Sequence, residues 1–142
     1  MNKRFSGHTA TDLAVLLGIL GILAALAYPR YEALRAETRK ALVRSLGSNV
    51  QVSAQVAHLT WIIQNEPPTI EYNDQVIDML NGYPDAASIA ATLANFVGFE
   101  HLVGAAANFR KIDAREPDAC KVSYAHDSAD SSPLIDILTS GC

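Results

Sequence analysis

The sequence predicts an α+β chain in which one long N-terminal helix, apolar in its first half and amphipathic in its second, packs on a small antiparallel β-sheet. Three observations carry this. Leu13 to Pro29 (LAVLLGILGILAALAYP) runs seventeen residues without a charge, bracketed by Asp12 and Arg30. Beyond it, apolar residues recur at helical spacing as far as Trp61. The remainder breaks into short β-prone runs between turn clusters and holds two cysteines, Cys120 and Cys142.

The N-terminus, MNKRFSG, is short, polar and basic, like the n-region of an exported chain. As a helix the apolar stretch spans about 25 Å, slightly less than a hydrocarbon core of about 30 Å. It is apolar all round, so packing on one face does not explain it. It sits in lipid, is removed as a signal, or is buried against copies of itself. Pro29 kinks such a helix without necessarily ending it. Residues 30–46 are rich in Ala, Leu, Arg and Glu, all good helix formers. Tyr31, Leu34, Thr38, Leu42, Leu46 and Val50, continued by Ala54, Ala57 and Trp61, form an apolar stripe. Gly47 lies inside it, at a cost of about 1 kcal/mol relative to Ala. The expected helix therefore runs from about Thr9 to Ile63.

Asn65-Glu66-Pro67-Pro68 stops it. TIEY-ND-QVIDM then reads as a β-hairpin turning at Asn73-Asp74, although without the usual Gly. Asn81-Gly82-Tyr83-Pro84 is a turn cluster, and Asp85 is placed to cap a helix over about Ala86–Phe99 with Ile89, Leu93 and Phe96 on its apolar face. Gly98 and Gly104 mark its ragged end, and residues 107–112 form a strand. Lys121–Ala125 and Leu134–Leu138 are two further strands around a polar loop, Asp127–Pro133. Folded as a hairpin, they bring Cys120 near Cys142. A disulfide there stabilises the fold by about 3 kcal/mol and implies an oxidising compartment.

With 142 residues the chain holds one domain of modest core besides the apolar segment. Its net charge of −4 argues weakly against general nucleic-acid binding. The distribution is more telling. Residues 30–44 carry five basic side chains (Arg30, Arg35, Arg39, Lys40, Arg44) and two acids, whereas 45–142 carry four basic against twelve acidic. A positive stem leads into an acidic head, an asymmetry that suits packing between copies or against anionic headgroups as well as ordinary solvation. The cysteines have no CxxC spacing and the four histidines (His8, His58, His101, His126) do not cluster, so no metal or other cofactor is expected. A thiol enzyme pairing Cys120 with His126 would separate them by about 20 Å along one strand, too far for activation. No enzymatic activity is expected. Trp61 is expected to anchor the head's core.

The spacing around the apolar run resembles the N-terminus of type IV pilins. Gly7, Thr9, Leu13, Gly21, Ile22-Leu23-Ala24-Ala25, Pro29 and Tyr31 fall in family register. The head is similar to the mannose-sensitive haemagglutinin pilins in Asn81-Gly82-Tyr83-Pro84, in Cys120-Lys-Val-Ser-Tyr124 and in Ser140-Gly141-Cys142. The departures are His8 where the family has Phe, Ala10 and Thr11 where it has two apolar residues, and Asp12 where it has Glu. The resemblance implies a leader, residues 1–7, cut after Gly7 by the prepilin peptidase, with His8 becoming the N-methylated terminus. It implies a membrane-spanning and filament-core helix over 8–29 and a pilin head over 30–142. Assembly would rest on Asp12, Gly21 and Pro29, with Cys120 and Cys142 bonded in the head. Asp12 would neutralise the terminal amine of a neighbouring copy, since a carboxylate in an apolar bundle demands a cation. The implied partners are further copies of the chain, the peptidase and the inner-membrane pilus assembly machinery. The implied location is the inner membrane, then a surface filament that serves attachment.

Two alternatives fit the same residues. One stays within the fold, as a minor pilin or a pseudopilin of type II secretion; the cysteine pair favours pilin over pseudopilin. In the other, Ala25-Leu26-Ala27 ends an ordinary secretory signal and the mature chain is a soluble disulfide-bonded domain beginning at Tyr28.

Overall fold

The computed structural model describes residues 10–126 and 132–142, and these divide into two compact units, one reaching to Arg35 and the other spanning Ala36–Cys142. A single helix, α1 (Ala10–Ile63), runs through both, with Pro29 inside it. The expected helix is thus present and continues past the proline.

In the first unit α1 is exposed on every side: Leu13, Val15, Leu16, Leu17, Ile19, Leu20, Ile22, Leu23 and Leu26 are all more than half accessible. Pro29 has no N–H to offer, so the carbonyl of Ala25 lacks its usual helical donor there.

In the second unit α1 buries Val43, Leu46, Gly47, Val50, Ala54 and Ala57. Two antiparallel sheets receive that face. The first is β1 (Thr69–Tyr72), β2 (Gln75–Leu80) and β3 (Tyr83–Pro84), in that order. The second is β4 (Phe99–Val103), β5 (Ala106–Lys111), β6 (Lys121–Ala125) and β7 (Leu134–Leu138), again in chain order. The larger core joins Val43, Leu46, Val50 and Ala54 of α1 to Ile89, Ala107, Phe109, Val122, Tyr124 and the two cysteines. A smaller one sets Ala57 against Ile70 and Ile77, with Trp61, Tyr72 and Met79 packed on it. Trp61 therefore anchors the hairpin end of the head, and its indole Nε1 donates to Pro67 O at 2.8 Å.

The turns follow local chemistry. Asn65 and Glu66 take positive φ after α1, ahead of Pro67 and Pro68, where the helix cannot continue. Asn73 and Asp74 both have positive φ (49° and 59°), the conformation that a two-residue hairpin turn needs and that Asn and Asp tolerate without Gly. Asn81 and Gly82 make the next turn, and a Cβ on Gly82 would lie 2.8 Å from the Trp61 ring.

Two expectations are corrected. The helix predicted over 86–99 is only a 3-10 turn at Ile89–Thr92. Asp85 does not cap it: Ser88 precedes the turn without a side-chain capping bond, and the Asp85 carboxylate instead accepts from Ser88 N at 2.7 Å. Ile89 meets the core from that turn and Leu93 and Phe96 from irregular chain, and Gly98 at φ 83° turns into β4, which pairs with β5 from Phe99↔Lys111 to Val103↔Ala107. The helical spacing of three apolar side chains was satisfied by tertiary packing instead. The predicted stripe also drifts. A row stepping by four residues advances about 40° around an α-helix at each step. Leu42 has turned out to solvent, 45 % exposed, while Val43 takes the core position. Tyr31 and Leu34 are exposed as well. The other expected strands stand, and β6 and β7 pair as a hairpin from Lys121↔Leu138 to Ala125↔Leu134. The architecture is α+β and consistent with the type IV pilin fold.

Candidate functional site

The first candidate region is the exposed apolar surface of α1. A window of the helix is long and apolar enough to cross a membrane, and none of that window is buried within the chain. Asp12 lies in the first turn, where a carboxylate also suits the helix N-terminal dipole. Gly21 lies about 14 Å further along and Pro29 about 12 Å beyond that, at 1.5 Å per residue. A Cβ added at Gly18 or Gly21 would touch nothing within 4 Å, so no contact among the described residues accounts for these glycines. Gly7 and His8, the predicted cleavage and methylation positions, lie outside the described residues.

The second region is the closed end of the head. Cys120 and Cys142 form a disulfide, with Sγ atoms 2.04 Å and Cα atoms 4.9 Å apart. The pairing read from the sequence is present, and Cys120 is therefore no free thiol. Three further bonds hold the same end. Gly141 N donates to Ala119 O at 2.9 Å, Glu116 N to Gly141 O at 3.1 Å, and Arg39 Nε of α1 to the Cys142 carbonyl. A Cβ on Gly141 would fall 2.5 Å from Glu116 O, so the close approach requires glycine.

The third region is β3 with the residue before it, Gly82, where side chains from other elements bind the carbonyls of Gly82 and Pro84. A carbonyl only accepts, so His58 Nδ1 donates to Gly82 O and His126 Nε2 to Pro84 O, each at 2.7 Å. Tyr124 OH also donates to Pro84 O at 2.7 Å. Burial, reinforced by the nearby Asp85 charge, raises the Tyr124 phenol far above the ordinary range, so it remains a neutral donor. His58 lies against Tyr83, with ring centroids 4.3 Å apart and planes 4° apart, and Trp61 follows at 5.6 Å. These contacts tie the first sheet to α1 and to the second sheet. They were not read from the sequence, because histidines far apart in the chain carry no spacing signal.

His101 stacks on Phe109 at 4.7 Å, near the edge of Phe96, and its buried Nε2 has no hydrogen-bond partner among the described residues. Burial lowers its pKa. Arg110 bridges Glu100 and Asp118 at 2.8 and 2.9 Å, which holds Asp118 below the usual carboxylate range. Lys111 is nearly buried, paired with Asp113 and donating to Gly98 O at 3.1 Å. Among the described residues no group of His, Cys, Asp and Glu could hold a metal ion.

In the second unit α1 also presents an outer apolar row. Val52, Val56, Leu59 and Ile63 are 38–80 % exposed and lie on the far side of the helix from Val50 and Ala54. The exposed apolar surface of α1 thus extends well beyond the membrane-length stretch. Gly47 marks a close approach of the helix to the sheet, since a Cβ there would run into the Ile137 side chain. A glycine within an otherwise helical pattern was the available signal for that contact.

Comparison with models of known families, with curated proteins and with solved structures returns no match for this chain.

Proposed function

We propose that this protein is a structural subunit of a type IV pilus, a pilin that assembles with copies of itself into a surface filament serving attachment. One observation carries the reading. The chain devotes an uncharged helical stretch, Leu13–Pro29, to a surface that it does not bury, and the same helix runs on into a disulfide-closed head. Apolar side chains exposed over such a length are satisfied by lipid or by other such helices.

Before assembly, α1 holds the subunit in the inner membrane with its head in the oxidising compartment, where the disulfide forms. The prepilin peptidase removes residues 1–7, and His8 becomes the methylated terminus. The assembly machinery then exchanges lipid contacts for helix–helix contacts. Gly18 and Gly21 leave room for close approach of neighbouring helices. The outer row Val52, Val56, Leu59 and Ile63 extends the contact surface beyond the apolar stretch. Asp12 supplies the carboxylate that neutralises the amino terminus of an adjacent copy, with one methylene less reach than the family's Glu. No catalytic group takes part.

The test is filament yield in cells producing Asp12→Ala or Asp12→Glu. The reading expects Asp12→Ala to reach the membrane at the normal level and to yield no sheared surface filament, with Asp12→Glu retaining assembly. Unchanged filament yield from Asp12→Ala would remove the assigned role of Asp12. Absence of any filament from the wild-type chain would overturn the function itself.

A further inference from the structure

The outer face of the β1–β2 hairpin is left exposed by the described residues. Register places Glu71 beside Val76 and Thr69 beside Asp78, with Leu80 further along the same side. Val76 is 66 % and Leu80 47 % exposed, while the inward residues Ile70 and Ile77 are buried. Asp78 lies between Val76 and Leu80 on that face, Glu66, Glu71 and Asp74 are exposed nearby in the sequence, and none of these acids forms an ion pair with another described residue. Residues 45–109 contain no Lys or Arg, so nothing nearby in the sequence offsets these acids.

The first unit carries the reverse pattern. Around α1, at about 100° per residue, the order is Arg30, Leu34, Tyr31, Arg35: two apolar side chains with an arginine on either side. Tyr31 is 57 % and Leu34 67 % exposed, and the Arg35 guanidinium lies over the Tyr31 ring at 5.3 Å. Neither Arg30 nor Arg35 forms an ion pair with another described residue. One face sets two apolar side chains among anions, and the other sets an apolar pair between two cations.

We infer that the acidic outer face of the β1–β2 hairpin of one copy docks on the Arg30–Arg35 face of another copy. The inference rests on the filament reading above and names a contact within it. Val76 and Leu80 cover Tyr31 and Leu34, while Glu71 and Asp78 pair with Arg30 and Arg35. Such an arrangement fixes the register between subunits, because a misplaced copy sets like charges against each other. It also gives a role to apolar residues that the head leaves uncovered. An anionic lipid surface would meet the two arginines but would repel the hairpin and leave Val76 and Leu80 unused.

The test is a charge swap in the full-length chain, read as sheared filament relative to the chain present in membranes. Glu71→Lys with Asp78→Lys, or Arg30→Glu with Arg35→Glu, each lowers filament yield by about tenfold or more, and the four changes together restore most of it. Thermal unfolding of the detergent-solubilised hairpin variant stays at the wild-type midpoint, since all four side chains are exposed. Full yield from either pair alone overturns the contact while leaving the filament reading intact. A loss from the stem pair that the hairpin changes do not rescue also overturns it, and assigns the arginines to lipid headgroups. Absence of wild-type filaments removes the contact together with the function on which it rests.

Discussion

Removing the Cys120–Cys142 disulfide by Cys120→Ala with Cys142→Ala tests how the head is held closed. The two cysteines are 22 residues apart. The loop-closure relation gives an unfolded-state entropy loss equivalent to about 3 kcal/mol for a loop of this length. Cys120 is fully buried and Cys142 is 7 % exposed, so losing both sulfurs from the core costs about 1 kcal/mol more. Against this, Gly141 N–Ala119 O, Glu116 N–Gly141 O and Arg39–Cys142 O persist and hold the end once the head has folded. The expected outcome is a folded head that has lost about 4 kcal/mol. The assay is urea unfolding of the full chain in non-ionic detergent, followed by the fluorescence of Trp61, the single tryptophan. Equal slopes for the two proteins identify a change in stability rather than in compactness. A loss below about 1 kcal/mol would refute the reasoning, because it would mean that the bond constrains little in the unfolded chain.

Three other outcomes follow from the same structure. Asp74→Gly should stabilise the β1–β2 hairpin by about 0.5–1 kcal/mol in the same unfolding assay, because position 74 has φ 59° and glycine adopts it without steric cost. Tyr124→Phe should cost about 1 kcal/mol through loss of the bond to Pro84 O, with Tyr124→Leu clearly worse as the ring packing goes too. His101 should make the head less stable in mild acid. Its folded pKa lies below the ordinary 6.5, so the unfolded chain binds the proton more readily, and stability falls as pH drops from about 7 through the depressed value. That slope should flatten in His101→Phe, whereas the contributions of the lowered Asp113 and Asp118 carboxylates are lost only near pH 4 and below.

Elements whose signal is local were legible in the sequence. Asn73-Asp74 supplies its own turn conformation, Pro67-Pro68 forbids continuation of α1, and the alternation of Lys121–Ala125 matches the buried Val122 and Tyr124. The membrane-length run needs no partner to be recognised. What was hidden depends on distant residues. Phe99–Val103 is a strand because β5 lies beside it, and the chain from Ile89 to Phe96 forms no more than a 3-10 turn because the core accepts its side chains without an α-helix. The stripe on α1 was misjudged from Thr38 to Leu42 because four-residue steps drift around the helix, so that Val43 rather than Leu42 faces the sheet. The bonds of His58, His126 and Tyr124 to the carbonyls of Gly82 and Pro84 join positions 24 to 42 residues apart, beyond the reach of any local pattern.

The central claim is that α1 leaves lipid for a filament of its own kind after its leader is removed. Intact mass under non-reducing conditions, taken on sheared surface material and on membranes, tests it most directly. The account predicts a species in the sheared fraction that begins at His8, carries one added methyl group and is lighter than its reduced form by the two hydrogens of one disulfide. A soluble species beginning at Tyr28, with none in the sheared fraction, would contradict it and leave a secreted domain in place of a pilin.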